Sequence, residues 1–195
     1  MSDKKKLRLS DAMTTLRIIA VAIFALIISA NPTIFGLIGG LVILALIFLT
    51  DGLDGQLARR FDGESKMGAF YDIVGDRIAE TVLLVPFVYL QIANPFVLVF
   101  FICKDFLVDF QRFATYMQTS AVPFKQVHGP LATFLTASRF MRFFYAVIKL
   151  VMLGLFYLAI FDSSAAVADL AGIVALITVI TATLRTLPSF VSIKV

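Results

Sequence analysis

The chain has one cysteine, one histidine and no tryptophan in 195 residues. Cys103 stands alone inside an apolar run, so an internal disulfide is excluded and the thiol reads as packing. No linker rich in Pro, Gly or Ser interrupts the sequence, and there is no internal repeat or low-complexity segment. One domain spanning 1–195 is the economical reading. Charge is scarce too: charged residues make up 15% of the chain against 60% hydrophobic ones. With a mean hydropathy of +0.96 and 20 Phe, that balance excludes an ordinary soluble globule. It points to an all-α integral membrane protein.

Apolar runs long enough to span a bilayer, or nearly so, occur at about 12–30, 34–50, 68–90, 96–116, 138–160 and 165–184. Turn chemistry separates them at Asn31-Pro32, Asn94-Pro95 and Asp162-Ser163-Ser164. Polar or Pro-containing segments do so at 59–67 and 119–137. The expectation is a six-transmembrane-helix bundle. Lys4, Lys5, Lys6, Arg8 and Arg17 flank the first span, and Arg59, Arg60 and Lys66 follow the second. Lys125, Arg139 and Arg142 surround the start of the fifth, and Arg185 and Lys194 follow the sixth. The alternate connections near 31–33, 91–95 and 161–164 carry no Lys or Arg. Both termini are therefore expected in the cytoplasm, with residues 1–11 a juxtamembrane segment. Residues 1–30 have the outline of a signal peptide, but cleavage there would leave five spans and reverse the charge parity. The net charge of +4 reads as topology and attraction to anionic lipid, with no nucleic-acid partner.

Against this apolar background stand four aspartates, in Asp51-Gly-Leu-Asp54-Gly55-Gln-Leu-Ala58-Arg59 and in Gly68-Ala-Phe-Tyr-Asp72-Ile-Val-Gly-Asp76. Carboxylates near a membrane are costly and need a compensating cation. Asp51 and Asp54 are spaced i, i+3 at the inner end of span two; Asp72 and Asp76 are spaced i, i+4 in the first turns of span three. Each pair projects from one helix face, and the short loop makes the two spans antiparallel neighbours. All four can converge on one pocket at the inner leaflet. With hard oxygen ligands and no His or Cys nearby, the expected metal is Mg2+ or Mn2+, with two ions. Gly55, Ala58 and Gly68 clear space for a bulky ligand, and Arg59 is placed to meet a phosphate. The plainer alternative makes the acids structural partners of Arg59, Arg60, Arg77 and Lys66.

The pattern Asp-xx-Asp-Gly-xx-Ala-Arg-x8-Gly-xxx-Asp-xxx-Asp resembles the signature of the CDP-alcohol phosphotransferases. Asp51, Asp54, Gly55, Ala58, Arg59, Gly68, Asp72 and Asp76 occupy its eight defining positions. The resemblance implies transfer of a phosphatidyl group from CDP-diacylglycerol to an alcohol with release of CMP. It places Asp51, Asp54 and Asp72 on the metal and on the CDP diphosphate, and makes Asp76 the general base, also touching metal. It assigns Gly55, Ala58 and Gly68 to the cytidine side and Arg59 to CDP. It further implies a homodimer in the inner or plasma membrane of a prokaryote, with the site facing the cytoplasm.

For the acceptor, Arg139, Arg185 and Lys125, then Arg112 and Arg142, can face the cytoplasmic vestibule and fit a phosphorylated alcohol. Within the family that suggests glycerol 3-phosphate, with an inositol phosphate as the alternative. The segment after Gly68 departs from the Leu-Asp-Pro-x-Ala-Asp-Lys form of phosphatidylglycerophosphate synthases. His128 reads as a loop residue, and Gly36 with Gly40 as a helix-packing face. Lys104, Asp105, Asp109, Lys149 and Glu80 read as structural charges paired within the bundle, Glu80 with Arg77 or Lys104. Two other classes compete. An intramembrane prenyltransferase would have more spans and leaves Gly55, Ala58 and Gly68 without a role. A divalent-cation transporter would bring acids to the bilayer midplane on several helices.

Overall fold

A computed structural model describes residues 9–61, 66–119 and 130–191. Among them lie seven α-helices and no strand: α1 (Leu9–Ala30), α2 (Gly36–Phe61), α3 (Lys66–Tyr89), α4 (Pro95–Thr119), α5 (Pro130–Ala137), α6 (Arg139–Leu158) and α7 (Ala165–Val191). On α2 from residue 51 onward the side chains lie outside the described set. The all-helical expectation holds. Three helices are long and apolar enough to cross a membrane, over Asp11–Ala30, Arg139–Leu158 and Ala165–Pro188. The apolar part of α2, Gly36–Thr50, is shorter. Helices α3 and α4 are 24 and 25 residues long, but Asp72, Asp76, Arg77 and Glu80 interrupt the first, and Lys104, Asp105, Asp109 and Arg112 the second.

The turn residues act where the sequence puts them. Asn31 N–H donates to the Ile27 carbonyl at 2.8 Å, and Pro32 follows. Gly36 then takes φ +62°, with nothing within 4 Å of where a Cβ would stand. Gly36 thus serves the turn into α2, whereas Gly40 is buried. Asn94 Oδ1 accepts from Phe96 N–H at 2.9 Å with Pro95 in the first helical position, a cap that starts α4. Asp162 Oδ1 accepts from Ser164 N–H at 2.9 Å ahead of α7.

Where a loop is expected at 119–137, the described part, Pro130–Ala137, forms the extra helix α5. At eight residues it rises only about 12 Å and cannot span a bilayer. Ser138 separates it from α6: its backbone is extended (φ −64°, ψ 145°) and its Oγ accepts from Met141 N–H at 3.1 Å.

The chain divides into two compact units at Tyr89/Leu90. In the first, α1 packs on α2 and, more broadly, on α3. Thr14, Arg17, Val21, Phe24, Ala25 and Ile28 are the buried residues of α1, spaced three and four apart on one face. Helix α3 buries Gly75, Ala79, Leu83 and Phe87 at steps of four. In the second unit α7 packs on α4, α5 and α6. Its buried face is small: Ala171, Ala175, Thr178 and Ala182 admit close helix approach. Thr178 Oγ1 donates to the Val174 carbonyl of its own helix at 2.7 Å, so this buried hydroxyl costs little. The opposite faces are apolar and bare; Leu26, Ile38 and Phe106 are 70%, 78% and 76% exposed. Large apolar rows of this kind suit contact with lipid tails rather than water.

Candidate active site

The described acids of the motif lie on α3. Asp72 and Asp76, one turn apart, both turn Oδ1 toward the same atom, NH2 of Arg17 on α1. The distance is 2.6 Å to Asp76 and 3.9 Å to Asp72. The Arg17 side chain is only 5% exposed, so this is a buried guanidinium gripped by carboxylates rather than a flank charge in headgroups. Thr14, one turn before Arg17, brings its Oγ1 to 3.5 Å from Asp72 Oδ1. On the neighbouring turn, the Thr15 and Tyr71 hydroxyls share a hydrogen bond of 2.7 Å. Gly75, between the two acids, makes the approach possible. A Cβ there would collide with the Thr14 methyl and come within 3.9 Å of Arg17 NH2.

The plainer structural alternative pairs the acids with Arg59, Arg60, Arg77 and Lys66, of which the side chains of Arg59, Arg60 and Lys66 lie outside the described residues. Arg77 NH1 bonds Glu80 Oε2 at 3.3 Å, as one of the two expected pairings for Glu80 has it. Arg17 was open to view: it sits i+3 from Thr14 and i+4 before Val21, on the apolar helix's inward face. A charge at that register inside a span signals a buried partner. Gly68 is half-buried in the first turn of α3. Asp51, Asp54, Gly55, Ala58 and Arg59 fall on the last turns of α2, with side chains outside the described residues. Among the described residues no three metal-ligating side chains gather, so a metal would need the α2 acids as well. The donor chemistry fits Mg2+ or Mn2+: the motif offers only carboxylates, whose hard oxygens suit these ions.

The second unit has its own polar cluster around Tyr145 of α6. Lys149 Nζ lies 4.6 Å from the ring centroid, Arg185 Cζ 4.6 Å and Lys104 Nζ 5.9 Å. Such distances allow each cation to be held by the ring quadrupole. Lys104 also pairs with Asp105 at 2.6 Å, both side chains under 10% exposed (9% and 6%). Arg185 NH1 donates to the Met141 carbonyl at 3.2 Å. Of the expected acceptor residues, Arg185 thus joins this cluster, half-buried, while Arg139 and Arg142 are exposed at the start of α6. The Arg112 side chain, Lys125 and His128 lie outside the described residues. Lys104 and Lys149, which the sequence marks as structural, share the ring with Arg185.

The described residues make an all-helical chain with three membrane-capable helices, in which one buried arginine faces two acids of a neighbouring helix. The chain belongs to the CDP-alcohol phosphatidyltransferase family, whose model matches residues 7–182. It is also similar to the inner membrane protein YnbA of Escherichia coli (strain K12), at 28% identity over 85 residues. That stretch covers 44% of this chain and 41% of YnbA, so the chain matches less than half the length of that relative.

Proposed function

We propose that this chain transfers a phosphatidyl group from CDP-diacylglycerol to glycerol 3-phosphate, releasing CMP, in phospholipid biosynthesis. The observation that carries the reading is the Asp72–Asp76 face of α3, half-exposed and complete in its register, turned toward the buried Arg17 in a chain of this family. In the reaction the acceptor hydroxyl attacks the phosphorus that bears the diacylglycerol. The P–O bond bridging to the cytidine phosphate breaks, and CMP leaves with that oxygen. Asp76 takes the hydroxyl proton. Asp51, Asp54, Asp72 and Asp76 would hold Mg2+ or Mn2+, which when bound neutralises the diphosphate. Gly55, Ala58, Gly68 and Arg59, with Asp51, Asp54 and Asp72, hold the CDP portion. Arg185 takes the acceptor phosphate, with Arg139, Lys125, Arg112 and Arg142 as further anion contacts.

In this reading residues 1–195 are a single domain of this family. Six helices cross the membrane, both termini are cytoplasmic, and the protein works as a homodimer in a prokaryotic inner membrane. Placement near the inner surface lets the acids meet a lipid headgroup without drawing its tails from the bilayer. An inositol phosphate is the second acceptor to test, because Gly68–Arg77 departs from the phosphatidylglycerophosphate synthase form. The test is CMP release by purified protein given CDP-diacylglycerol, Mg2+ and each acceptor in turn. Release with glycerol 3-phosphate alone is expected. Release only with an inositol phosphate replaces the acceptor, and no release with any acceptor, alongside metal flux into vesicles, replaces the enzyme with a transporter.

A further inference from the structure

Arg17 does more than balance charge. It comes from a different helix than any acid of the motif, it is buried, and a single nitrogen faces both Asp76 and Asp72. Three neighbouring features hold its turn of α1 in register: the Thr14 approach to Asp72, the Thr15–Tyr71 hydroxyl bond and the bare Cα of Gly75. A guanidinium packed this way cannot swing aside without moving the helix.

We infer that Arg17 is a positioning residue: it fixes the Asp76 carboxylate through Oδ1, leaving Oδ2 to meet the acceptor hydroxyl, and it weakens the hold of the acidic face on divalent cations. Both parts follow from the same contact. A carboxylate tied at one oxygen loses rotational freedom about its terminal torsion, which favours one proton-accepting geometry. A fixed positive charge within 4 Å of two carboxylates repels any dication those carboxylates would bind. Metal that binds too tightly would also hold CMP and slow its departure, so a moderating cation favours turnover.

Arg17's role rests on that of Asp76 as the base, and the test separates the two. Full-length native protein, Arg17→Gln, Arg17→Lys and Gly75→Ala are purified in detergent. Each is checked for folding by thermal melting, then compared for CMP release and for Mn2+ affinity by electron paramagnetic resonance without substrate. Arg17→Gln should lower kcat by about 100-fold, with the donor KM within about threefold. It should also bind Mn2+ about tenfold more tightly, through loss of the nearby positive charge. Arg17→Lys should keep near-native Mn2+ affinity and recover part of kcat. Gly75→Ala leaves the arginine in place but pushes its turn away, and should shift both readouts in the directions of Arg17→Gln.

A residue that merely glues α1 to α3 would lower melting temperature, turnover and Mn2+ affinity together. Weaker or unchanged Mn2+ binding in folded Arg17→Gln overturns the inference, as does native kcat. If Arg17→Gln does not fold, Gly75→Ala decides: native values of both readouts overturn it. If native protein releases no CMP, the transferase reading falls by itself, and the Mn2+ comparison still decides the effect of Arg17 on the metal.

Discussion

Asp105→Asn should be among the most damaging single changes in the second unit. The Lys104–Asp105 pair is buried at both ends, with side chains 9% and 6% exposed and a separation of 2.6 Å. Replacing the carboxylate with an amide leaves Lys104 charged, buried, and within 5.9 Å of the Tyr145 ring that also holds Lys149 and Arg185. Removing one partner of a buried pair costs about 3–5 kcal/mol, because the surviving charge keeps its desolvation penalty. The two other cations make the upper half of that range the expectation. For a chain of this size that upper half corresponds to a fall in Tm of roughly 8–20 °C. Removing both charges should be gentler, since an apolar pair of similar volume is often neutral. The assay is thermal or denaturant unfolding in detergent micelles of Asp105→Asn, Lys104→Met and the Lys104→Met/Asp105→Leu double variant. A loss below about 1 kcal/mol for Asp105→Asn would refute the reasoning, since that is the range of exposed pairs. So would a double variant less stable than either single one.

Asp76→Asn should abolish CMP release while leaving donor binding intact, measured by retention on immobilised CDP; residual turnover above about a hundredth of native would remove Asp76 from the role of base. Arg185→Gln should raise the acceptor KM at least about tenfold with the donor KM unchanged, because a charge-assisted phosphate contact is lost. Gly36→Ala should cost about 1 kcal/mol of stability in a denaturant titration. The site is open, so only the positive φ opposes the new methyl group.

Much of the helical layout was legible because turn residues act locally. Asn31-Pro32, Asn94-Pro95 and Asp162-Ser163-Ser164 satisfy their own backbone groups in the structure and need no distant partner to do so. The Asp72–Asp76 register on α3 was equally local, since i, i+4 spacing decides it. What could not be read locally was the company those residues keep. Arg17 lies 59 residues before Asp76, and positive-inside counting treats it as one more cytoplasmic charge. Lys104, Lys149 and Arg185 meet at one tyrosine from three helices, a coincidence that no spacing along the chain reveals. Helix α5 was hidden for another reason: Pro130 reads as a breaker, whereas here it occupies a first helical position, and the break falls at Ser138.

The buried arginine also gives α1 a fixed angular setting. An α-helix turns about 100° per residue. Leu16 and Ile19, which bracket Arg17, are 67% and 51% exposed on the oily side. Slippage of α1 by one position would carry the guanidinium off its carboxylates and toward hydrocarbon. Inserting or deleting one residue between Arg17 and Val21 therefore forces a choice between two losses. Either the charge stays with its acids and the rest of the helix presents the wrong side to the bilayer, or the reverse. Variation in chain length at this point is closed to the protein, although it lies well away from the loops.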